Sequence, residues 1–312
     1  MPVKRVFVDG SAGTTGLNII ERLSGRNDIE LLTLPEELRK DEASRKQMIN
    51  EADIVFLCLP DQAAKEAASW LENPSTRVID TSTAHRVHPD WTYGFPELTG
   101  QRNAIADARL VANPGCHANG FIALVRPLTE NGLIPKDLPL SCFSLTGYSG
   151  SGKKMIAEYE AAGRSPLLDA PRMYGLNQSH KHLPEMKHVC GLAAEPVFCP
   201  IVAPYYAGME VTVPLFRSQT SASPSEIAAC YEAYYRSGLV RYAPADSEGG
   251  FLSASALAGT DEMHVSVCGN DERILLVARF DNLGKGACGA AIQNMNLMIG
   301  APEDLGLVHT EV

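Results

Sequence analysis

Apolar and polar positions along the first eighty residues repeat one order, a short strand followed by an amphipathic helix. The run "VKRVFVDG" predicts a buried strand, "SAGTTG" a small-residue turn, and "LNIIERLSGR" a helix with Leu17, Ile20 and Leu23 near helical spacing. "DIELLTL" with "DEASRKQMINE" and "ADIVFLCLP" with "DQAAKEAASWLEN" repeat the order, and "TRVIDTS" adds a strand. This alternation predicts a parallel sheet with helices on its faces.

Beyond about residue 116 the pattern changes to longer strands. "LSCFSLTG", "FCPIVAPYYAGMEVTVPLF", "MHVSVCG" and "RILLVARFDNL" are rich in β-branched and aromatic residues, and "SPSEIAACYEAYYRSG" predicts a capped helix between them. The last helix, "GKGACGAAIQNMNLMIG", is small and apolar, so we expect it to pack back on the first domain. Residues 163–191, rich in Gly, Pro and Asn, form the longest predicted irregular stretch.

Composition narrows the class of protein. The 312 residues, 45% of them hydrophobic, are enough for two domains. The sequence has no long apolar run and no signal peptide at "MPVKRVFVDG", so we expect a cytoplasmic protein whose eight cysteines stay reduced. The net charge of -10 argues against nucleic acid or an anionic membrane as a partner. A small anionic substrate stays compatible with local basic residues.

The glycine-rich turn after the first strand predicts a dinucleotide site. Glycines let the backbone approach a pyrophosphate, which then sits on the amides that begin the next helix. The candidate cofactor-binding residues of this turn are Gly10, Ser11, Ala12, Gly13, Thr14, Thr15 and Gly16.

The residues after the second predicted strand favour NADP over NAD. The strand does not end in the acidic residue that would bind the ribose diol of NAD, unless Glu36 or Glu37 takes that role. Basic residues, which suit the 2′-phosphate of NADP, follow the strand instead. These basic residues are Arg39, Lys40, Arg45 and Lys46, and for each of them a solvated helix face is the alternative interpretation.

A second glycine loop, "GYSGSGKK" at 147–154, matches most of a phosphate-binding P-loop. Lys154 stands where a Ser or Thr would hold magnesium, which argues against an ATPase. The loop amides and two ammonium groups could still receive a phosphate or a carboxylate. A flexible surface loop is the alternative.

The segment "HKHLPEMKHVC" contains His180, His182, Glu185, His188 and Cys190. Because no CxxC or HExxH spacing accompanies them, we predict no metal site. Acid/base work beside a nucleophile suits histidines, which titrate in the right range. Four further histidines are predicted to be structural or exposed; they are His88, His117, His264 and His309.

Cys116 differs from five other cysteines that fall inside strand-like or helix-like runs, namely Cys58, Cys142, Cys230, Cys268 and Cys288. It follows the Pro-Gly turn of "NPGC" and begins a predicted apolar helix. Unsatisfied amides and the positive end of the helix dipole there favour thiolate over thiol. The same amides could stabilise an oxyanion on a carbonyl under attack. Cys116 is therefore the predicted nucleophile.

Seven motifs now carry a family resemblance across essentially the whole chain. They are "GSAGTTG", "DTSTAHR" at 80–86, "YGFPEL" at 93–98, "NPGCHANG" at 113–120, "GYSGSGK" at 147–153, "HKHLPE" at 180–185 and "DNLGKGACGAAIQNMNLM" at 281–298. In this order they resemble N-acetyl-γ-glutamyl-phosphate reductase, in the shorter of its two subtypes, and more distantly aspartate-semialdehyde dehydrogenase. The family's cysteine motif usually continues with an aromatic residue and Pro-Thr, so "CHANG" is a departure.

The resemblance implies NADPH-dependent reduction of an acyl phosphate to an aldehyde, with release of inorganic phosphate, in arginine biosynthesis. It implies that Cys116 is the nucleophile that forms a thioester, and that His180 or His182 supplies the acid/base. It also implies that Arg86 holds a substrate anion, and that Ser149, Gly150 and Lys153 form a second anion site. Further candidates are Asn113 and Glu185 for substrate, and Pro60, Ser82, Asn282 and Lys285 for cofactor, the last two near the nicotinamide end.

The predicted fold class is α/β, with a Rossmann-type parallel-sheet domain and an α+β catalytic domain whose sheet is mostly antiparallel. We place the NADP-binding domain at 1–115 plus 283–312 and the catalytic and dimerisation domain at 116–282, in a homodimer or homotetramer. Three alternatives stay open: a reductase of another acyl phosphate such as aspartyl phosphate, a non-catalytic NADP-binding regulator, and an ATP-binding P-loop protein. The joint presence of Cys116, the paired histidines and Arg86 argues against the regulator.

Overall fold

The structure is a computed structural model that describes residues 2–245 and 249–310, and the chain forms two compact units. Of the described residues, the first unit combines 2–115 with Ala287–Leu307. The second combines 116–245 and 249–286 with 308–310.

Helices and strands follow one another along the whole chain. The strands are β1 (Lys4–Asp9), β2 (Ile29–Leu32), β3 (Ile54–Leu57), β4 (Arg77–Asp80), β5 (Thr92–Tyr93), β6 (Leu110–Ala112), β7 (Ser141–Gly147), β8 (Arg172–Met173), β9 (Val197–Ala203), β10 (Met209–Phe216), β11 (Val240–Tyr242), β12 (Met263–Gly269) and β13 (Arg273–Phe280). The α-helices are α1 (Thr14–Leu23), α2 (Glu42–Glu51), α3 (Asp61–Ser69), α4 (Gln101–Asp107), α5 (Cys116–Glu130), α6 (Lys153–Glu160), α7 (Leu183–Cys190), α8 (Pro224–Tyr234) and α9 (Gly289–Ile299). Short 3-10 turns lie at Glu36–Leu38, Tyr148–Ser151, Pro166–Asp169 and Arg217–Gln219, and a π-helical turn at Gly284–Cys288.

The first unit is built on a parallel sheet with the strand order β2-β1-β3-β4-β6-β5. Its central strand β3 is buried at every position, as expected for a parallel strand with helices on both faces. One face packs Val6 and Phe56 against Ile19 of α1 and Met295 of α9. The other packs Val55 against Ile49 of α2 and Ala67 of α3. The predicted Rossmann-type sheet is confirmed.

The second unit is built on a mixed sheet with the strand order β11-β12-β13-β10-β7-β9-β8. Only the pairs β7–β9 and β11–β12 are parallel within it, so the predicted, mostly antiparallel sheet is confirmed. Helix α5 lies against β10 and β13. It approaches closely at Gly120, where a Cβ would lie 2.5 Å from Cγ2 of Val211.

The predicted irregular stretch 163–191 contains a helix that sequence patterning missed. Helix α7 has proline in its first turn and ends at Gly191, whose φ of 65° is left-handed. It buries Leu183, Met186 and Cys190, at spacings of three and four residues. The run is short, and its helical pattern is hidden among glycines and prolines of the neighbouring turns.

The compact units divide the chain differently from the predicted domains in two short segments, which pack with the second unit. The turn at 283–286 is held there because Asn119 donates to the carbonyl oxygen of Lys285 at 2.6 Å. Residues 308–310 are held by Asp261, whose carboxylate accepts from the Val308 amide at 2.8 Å, and whose own amide donates to the Val308 carbonyl at 2.7 Å. In the described part of the chain, no helix has both the length and the apolar character needed to cross a membrane.

Candidate active site

The first glycine loop forms a cradle that side chains would fill. Gly10 has a φ of 87°, and a Cβ there would collide with the carbonyl oxygen of Cys58. A Cβ at Gly16 would lie 2.5 Å from the Gly10 carbonyl oxygen. Gly13 caps α1 without a side-chain hydrogen bond, and the first turn of α1 holds no acidic residue. Ser11, Ala12 and Thr15 complete the turn between β1 and α1.

This cradle fits a pyrophosphate. A helix that begins with uncapped amides attracts an anion, and the local glycines let it approach the backbone. The Thr14 hydroxyl is buried at the same place, and the described residues offer it no hydrogen-bond partner. A phosphate oxygen on these amides would give that hydroxyl an acceptor.

Two of the four basic residues after β2 are engaged by the protein itself. Arg45 makes a two-pronged contact with Asp9, with nitrogen to oxygen distances of 2.9 and 3.1 Å, and lies over the Trp70 ring. Lys46 pairs with Glu72 at 2.8 Å. Arg39 and Lys40 are exposed beside the 3-10 turn Glu36–Leu38. These two residues are therefore the remaining candidates to contact a 2′-phosphate.

Pro60 and Ser82 lie where β3 and β4 end. Pro60 caps the start of α3, and the Ser82 hydroxyl donates to Asp80 at 2.8 Å. Because β1, β3 and β4 are adjacent parallel strands, the loops that follow them meet at one edge of the sheet. The structure therefore brings Pro60, Ser82 and the first glycine loop to the same edge.

Arg86 and Asn113 form a buried clamp in the first unit. The Arg86 guanidinium donates to the carbonyl oxygens of Asn113, at 2.9 Å, and Thr81, at 3.0 Å. The Asn113 amide group donates to the Ala287 carbonyl and accepts from Asn294, both at 3.0 Å. These contacts fix the backbone of the turn that leads to Cys116. Neither side chain is free to reorient without loss of them.

Cys116 begins α5 and is half-buried. Gly286 packs against it, since a Cβ at Gly286 would lie 3.2 Å from that of Cys116. Other cysteines have a different environment: burial raises the pKa of the Cys58 thiol to about 12 and also raises those of Cys142 and Cys190. A cysteine at a helix N-terminus is the kind that ionises readily, whereas buried thiols are inert.

His180 and His182 belong to an aromatic cluster whose centre is His117. The His117 ring lies 5.7 Å from that of His180 and 5.6 Å from that of His182, and the latter two are 4.8 Å apart. Tyr174 and Phe198 pack around the same rings. His117 is 3% exposed.

Sequence reasoning missed the part that His117 plays in this site. It predicted a structural or exposed histidine, yet His117 lies beside the candidate nucleophile and joins both candidate acid/base residues. Two features of the sequence could have indicated this part: His117 is next to Cys116, and it stands where the family motif usually has an aromatic residue.

Hydrogen bonds and burial hold the imidazoles of His117 and His180 neutral. His117 contacts the Ser144 hydroxyl through Nδ1 at 2.6 Å and the Tyr174 hydroxyl through Nε2 at 2.7 Å. Burial lowers the pKa of His117 to about 3, and burial together with the Lys181 charge lowers the pKa of His180 to about 4. Nδ1 of His180 accepts from the His182 amide at 3.3 Å, which leaves its proton on Nε2.

The rest of the segment "HKHLPEMKHVC" has varied surroundings. Glu185 and Cys190 are buried in α7, and His188 is exposed on it. Across residues 2–245 and 249–310, no group of three or more His, Cys, Asp or Glu side chains could hold a metal ion.

The second glycine loop is tied to the turn at 205–208. The amides of Gly147 and Ser149 donate to the carbonyls of Gly208 and Tyr206, at 2.9 and 3.1 Å. Asn282 accepts from the Gly208 amide and donates to the Ser149 hydroxyl, both at 2.9 Å. These bonds leave fewer amides for a nucleotide phosphate than a P-loop needs.

The predicted residues of this region separate into exposed and buried groups. Gly150 and Lys153 are exposed, Lys153 as the first residue of α6. Ser149, Asn282 and Lys285 are each 1% exposed, and Lys285 lies in the π-helical turn. Asn282 therefore orders the second glycine loop through its side-chain amide.

Comparison with known proteins identifies relatives over both units. The family model described as "Semialdehyde dehydrogenase, NAD binding domain" matches residues 5–108, and "Semialdehyde dehydrogenase, dimerisation domain" matches residues 116–282. An N-acetyl-gamma-glutamyl-phosphate reductase of Brucella suis is 49% identical over 95% of this chain and 99% of its own.

Solved structures share the fold at low identity. Aspartate semialdehyde dehydrogenase II of Vibrio cholerae, solved with ASA, has a TM-score of 0.72 at 18% identity, over 96% of this chain and 99% of its own. An aspartate semialdehyde dehydrogenase of Candida albicans, solved with NADP, has a TM-score of 0.68 at 16% identity, also over 96% and 99%.

Proposed function

The chain belongs to the N-acetyl-gamma-glutamyl-phosphate reductase family of semialdehyde dehydrogenases, and we propose that it reduces N-acetyl-γ-glutamyl phosphate to the semialdehyde and inorganic phosphate. The observation that carries this proposal is the position of Cys116. It begins a buried helix beside neutral imidazoles, whereas the fully buried cysteines have raised pKa values. A thiolate at such a position is suited to attack a carbonyl carbon.

The first half of the reaction is acyl transfer to Cys116. The thiolate forms a bond to the acyl carbon while the amides of the first turn of α5 stabilise the oxyanion. The carbon–oxygen bond to phosphate then breaks, and the electron pair leaves on the phosphate oxygen, which takes up a proton to give inorganic phosphate. The product on the protein is a thioester.

The second half returns Cys116 to its starting state. The nicotinamide cofactor supplies a hydride when it is bound. Once the carbonyl carbon is reduced, the carbon–sulfur bond breaks, the aldehyde leaves and the Cys116 thiolate is restored. The cofactor's pyrophosphate would be held by Gly10, Gly13, Gly16 and the first amides of α1.

The two candidate histidines are assigned different roles. His180 is neutral at pH 7 with its proton on Nε2, so it suits donation of a hydrogen bond to the substrate carbonyl oxygen. A pKa of about 4 suits proton transfer near neutral pH poorly. His182 is therefore the proposed proton carrier.

The candidate anion contacts separate into direct and indirect ones. Lys153 and the Gly150 amide are exposed, so we assign them to the phosphate or carboxylate of the substrate. Arg86, Asn113 and Ser149 act through the backbone turns that they order. Glu185, buried in α7, stays a candidate for positioning substrate.

NADP is the proposed cofactor because Arg39 and Lys40 are exposed beyond β2, where a 2′-phosphate would bind. Asp9, at the end of β1, is occupied by Arg45, so it is not available to a ribose hydroxyl without loss of that pair.

The match to a dimerisation domain indicates self-association, and we propose a homodimer. The outer face of the second-unit sheet offers the interface. Phe143, Val197 and Leu275 point to that face with exposed fractions of 41%, 59% and 41%. Exposed apolar side chains grouped on one sheet face are typical of an association surface.

The test follows reduced-cofactor absorbance in the reverse direction with N-acetylglutamate semialdehyde, phosphate and either NADP or NAD. We expect turnover with NADP that needs phosphate, and loss of it in Cys116→Ser; Cys230→Ser is the matched control that keeps full rate. Phosphate-dependent turnover by Cys116→Ser would contradict the mechanism. Faster turnover with aspartate semialdehyde in place of the N-acetyl substrate would instead assign the chain to aspartyl phosphate.

A further inference from the structure

A hydrogen-bonded chain of three side chains in the second unit has at its centre His117, the residue that follows Cys116 in α5. Ser144 lies on the buried face of β7, His117 follows Cys116 in α5, and Tyr174 follows β8. The donor–acceptor distances are 2.6 Å between Ser144 Oγ and His117 Nδ1 and 2.7 Å between His117 Nε2 and Tyr174 Oη. The Tyr174 backbone is fixed too, because its amide donates to the Pro200 carbonyl at 3.0 Å.

The direction of this chain follows from burial. His117 is neutral, so one ring nitrogen donates and the other accepts. Ser144 is fully buried, and across the described residues its hydroxyl contacts His117 alone. If His117 donated to Ser144, the serine hydrogen would be buried without an acceptor, which is costly. The serine therefore donates to Nδ1, and the Nε2 hydrogen is donated to Tyr174.

Tyr174 is left with a hydrogen that neither His117 nor Ser144 can accept. Burial raises the pKa of Tyr174, and a negative charge on Cys116 raises it further. Tyr174 therefore stays protonated at neutral pH and is a donor.

We propose that Ser144, His117 and Tyr174 form a relay that directs the Tyr174 hydroxyl hydrogen to the Cys116 thiolate and favours its ionisation. The relay rests on the proposed function, in which Cys116 is the nucleophile. It gives His117, which replaces the aromatic residue usual in the family, a positioning role. Tyr174 is the positioning residue that acts on the sulfur, and Ser144 fixes the tautomer of His117.

Other titratable groups of the second unit surround the relay. His180 and His182 pack on His117 from the segment before α7, and Lys285 lies beside Gly286, which contacts Cys116. His180 stays neutral above its pKa of about 4, so it does not change charge between pH 6 and 9. A change in Cys116 ionisation that is specific to loss of the Tyr174 hydroxyl therefore reports the relay.

The test measures the rate of Cys116 alkylation by iodoacetamide against pH, with the modified peptide quantified by mass spectrometry. In Tyr174→Phe we expect the midpoint to rise by about one to two pH units, the range expected for a hydrogen bond to a charged acceptor. Ser144→Ala should raise it by less. Tyr231→Phe is the matched control, because that hydroxyl donates at 2.6 Å to the Leu124 carbonyl of the same helix, away from the thiol.

A second measurement uses the unaltered protein, so it does not depend on the variants folding. Nitrogen-15 NMR of labelled histidine, assigned with His117→Gln, should show His117 protonated on Nε2 and bare on Nδ1. The opposite tautomer, or an equal midpoint in Tyr174→Phe and Tyr231→Phe, would overturn the relay. Either result would leave the Cys116→Ser test untouched, so the relay can fail while the proposed function stands.

Discussion

At the residue scale, the two histidines of "HKH" have unlike surroundings although they are two positions apart. Nδ1 of His180 accepts a backbone amide, and the ring is half-buried against Phe198. His182 caps α7 and is 5% exposed. These surroundings support the proposal that His180 is a fixed donor and His182 the proton carrier.

Replacement of each histidine by asparagine should separate these roles. His180→Asn should lower kcat by about 10²- to 10³-fold, as loss of an oxyanion donor does, without changing the shape of the pH–rate profile. His182→Asn should lower kcat by about 10²- to 10⁴-fold and remove one ionisation from that profile. Steady-state kinetics between pH 6 and 9 measures both, and an altered profile in His180→Asn alone would reverse the assignment.

The sequence predicted Cys116 and the paired histidines because their signals are local. A Pro-Gly turn before an apolar run places a cysteine at a helix start, and His-x-His is visible in a short segment. The partners of His117 are 27 and 57 residues away along the chain, on β7 and after β8. These residues contact His117 only because α5 packs against the sheet. A local sequence pattern does not predict such a contact.

At the scale of the element, the strand–turn–helix at the start of the chain was predictable for the same reason. Gly10, Gly13 and Gly16 serve a turn between one strand and one helix, both apparent from periodicity. The constraint on Gly10 comes from a neighbouring strand, since the Cys58 carbonyl at the end of β3 occupies the place of a side chain. Hydrophobic periodicity therefore predicts where the first glycine loop lies, whereas packing against the end of β3 determines its backbone conformation.

Gly10→Ala should therefore weaken cofactor binding far more than an ordinary glycine substitution. The added methyl group meets backbone, and the φ of 87° is strained for alanine by about 1 kcal/mol or more. Isothermal titration with NADPH should show at least a tenfold rise in Kd. Gly25→Ala is the matched control, because no atom lies within 4 Å of its Cβ position and its φ is not left-handed. Equal affinity in both variants would mean that the cradle is not the cofactor site.

At the scale of the whole molecule, the predicted fold class and the resemblance carried by seven motifs are confirmed. The residues at which the chain passes between the two units could be identified only from the structure. The chain returns to the first unit at Ala287 and leaves it again at Val308. The second change is caused by buried and half-buried polar contacts: Asp261 bonds Val308, and Glu262 contacts His309 and Thr310. Single polar contacts of this kind carry no periodicity, so hydrophobic patterning does not predict them.

Stability of the chain should depend on pH through its neutral histidines. The folded-state pKa of His117, about 3, lies below the unfolded value of 6.5, so the unfolded chain binds the extra proton first as pH falls. The stabilisation is complete above pH 6.5 and is lost below it, by up to about 1.4 kcal/mol per pH unit from this one group. His180 and His264, whose pKa values are also lowered mainly by burial, act in the same direction.

Urea unfolding at pH 7.5, 6.5, 5.5 and 5.0 measures this dependence above the range where carboxylates titrate. The unfolding free energy should be level between pH 7.5 and 6.5 and then fall. In His117→Gln, which keeps a neutral polar group but cannot take up a proton, the fall below pH 6.5 should be shallower by up to about 1.4 kcal/mol per pH unit. His88→Gln, at an exposed position, should fall as the unaltered chain does. Identical slopes in the two variants would show that His117 takes up its proton in the folded chain near pH 6.5, which contradicts its lowered pKa.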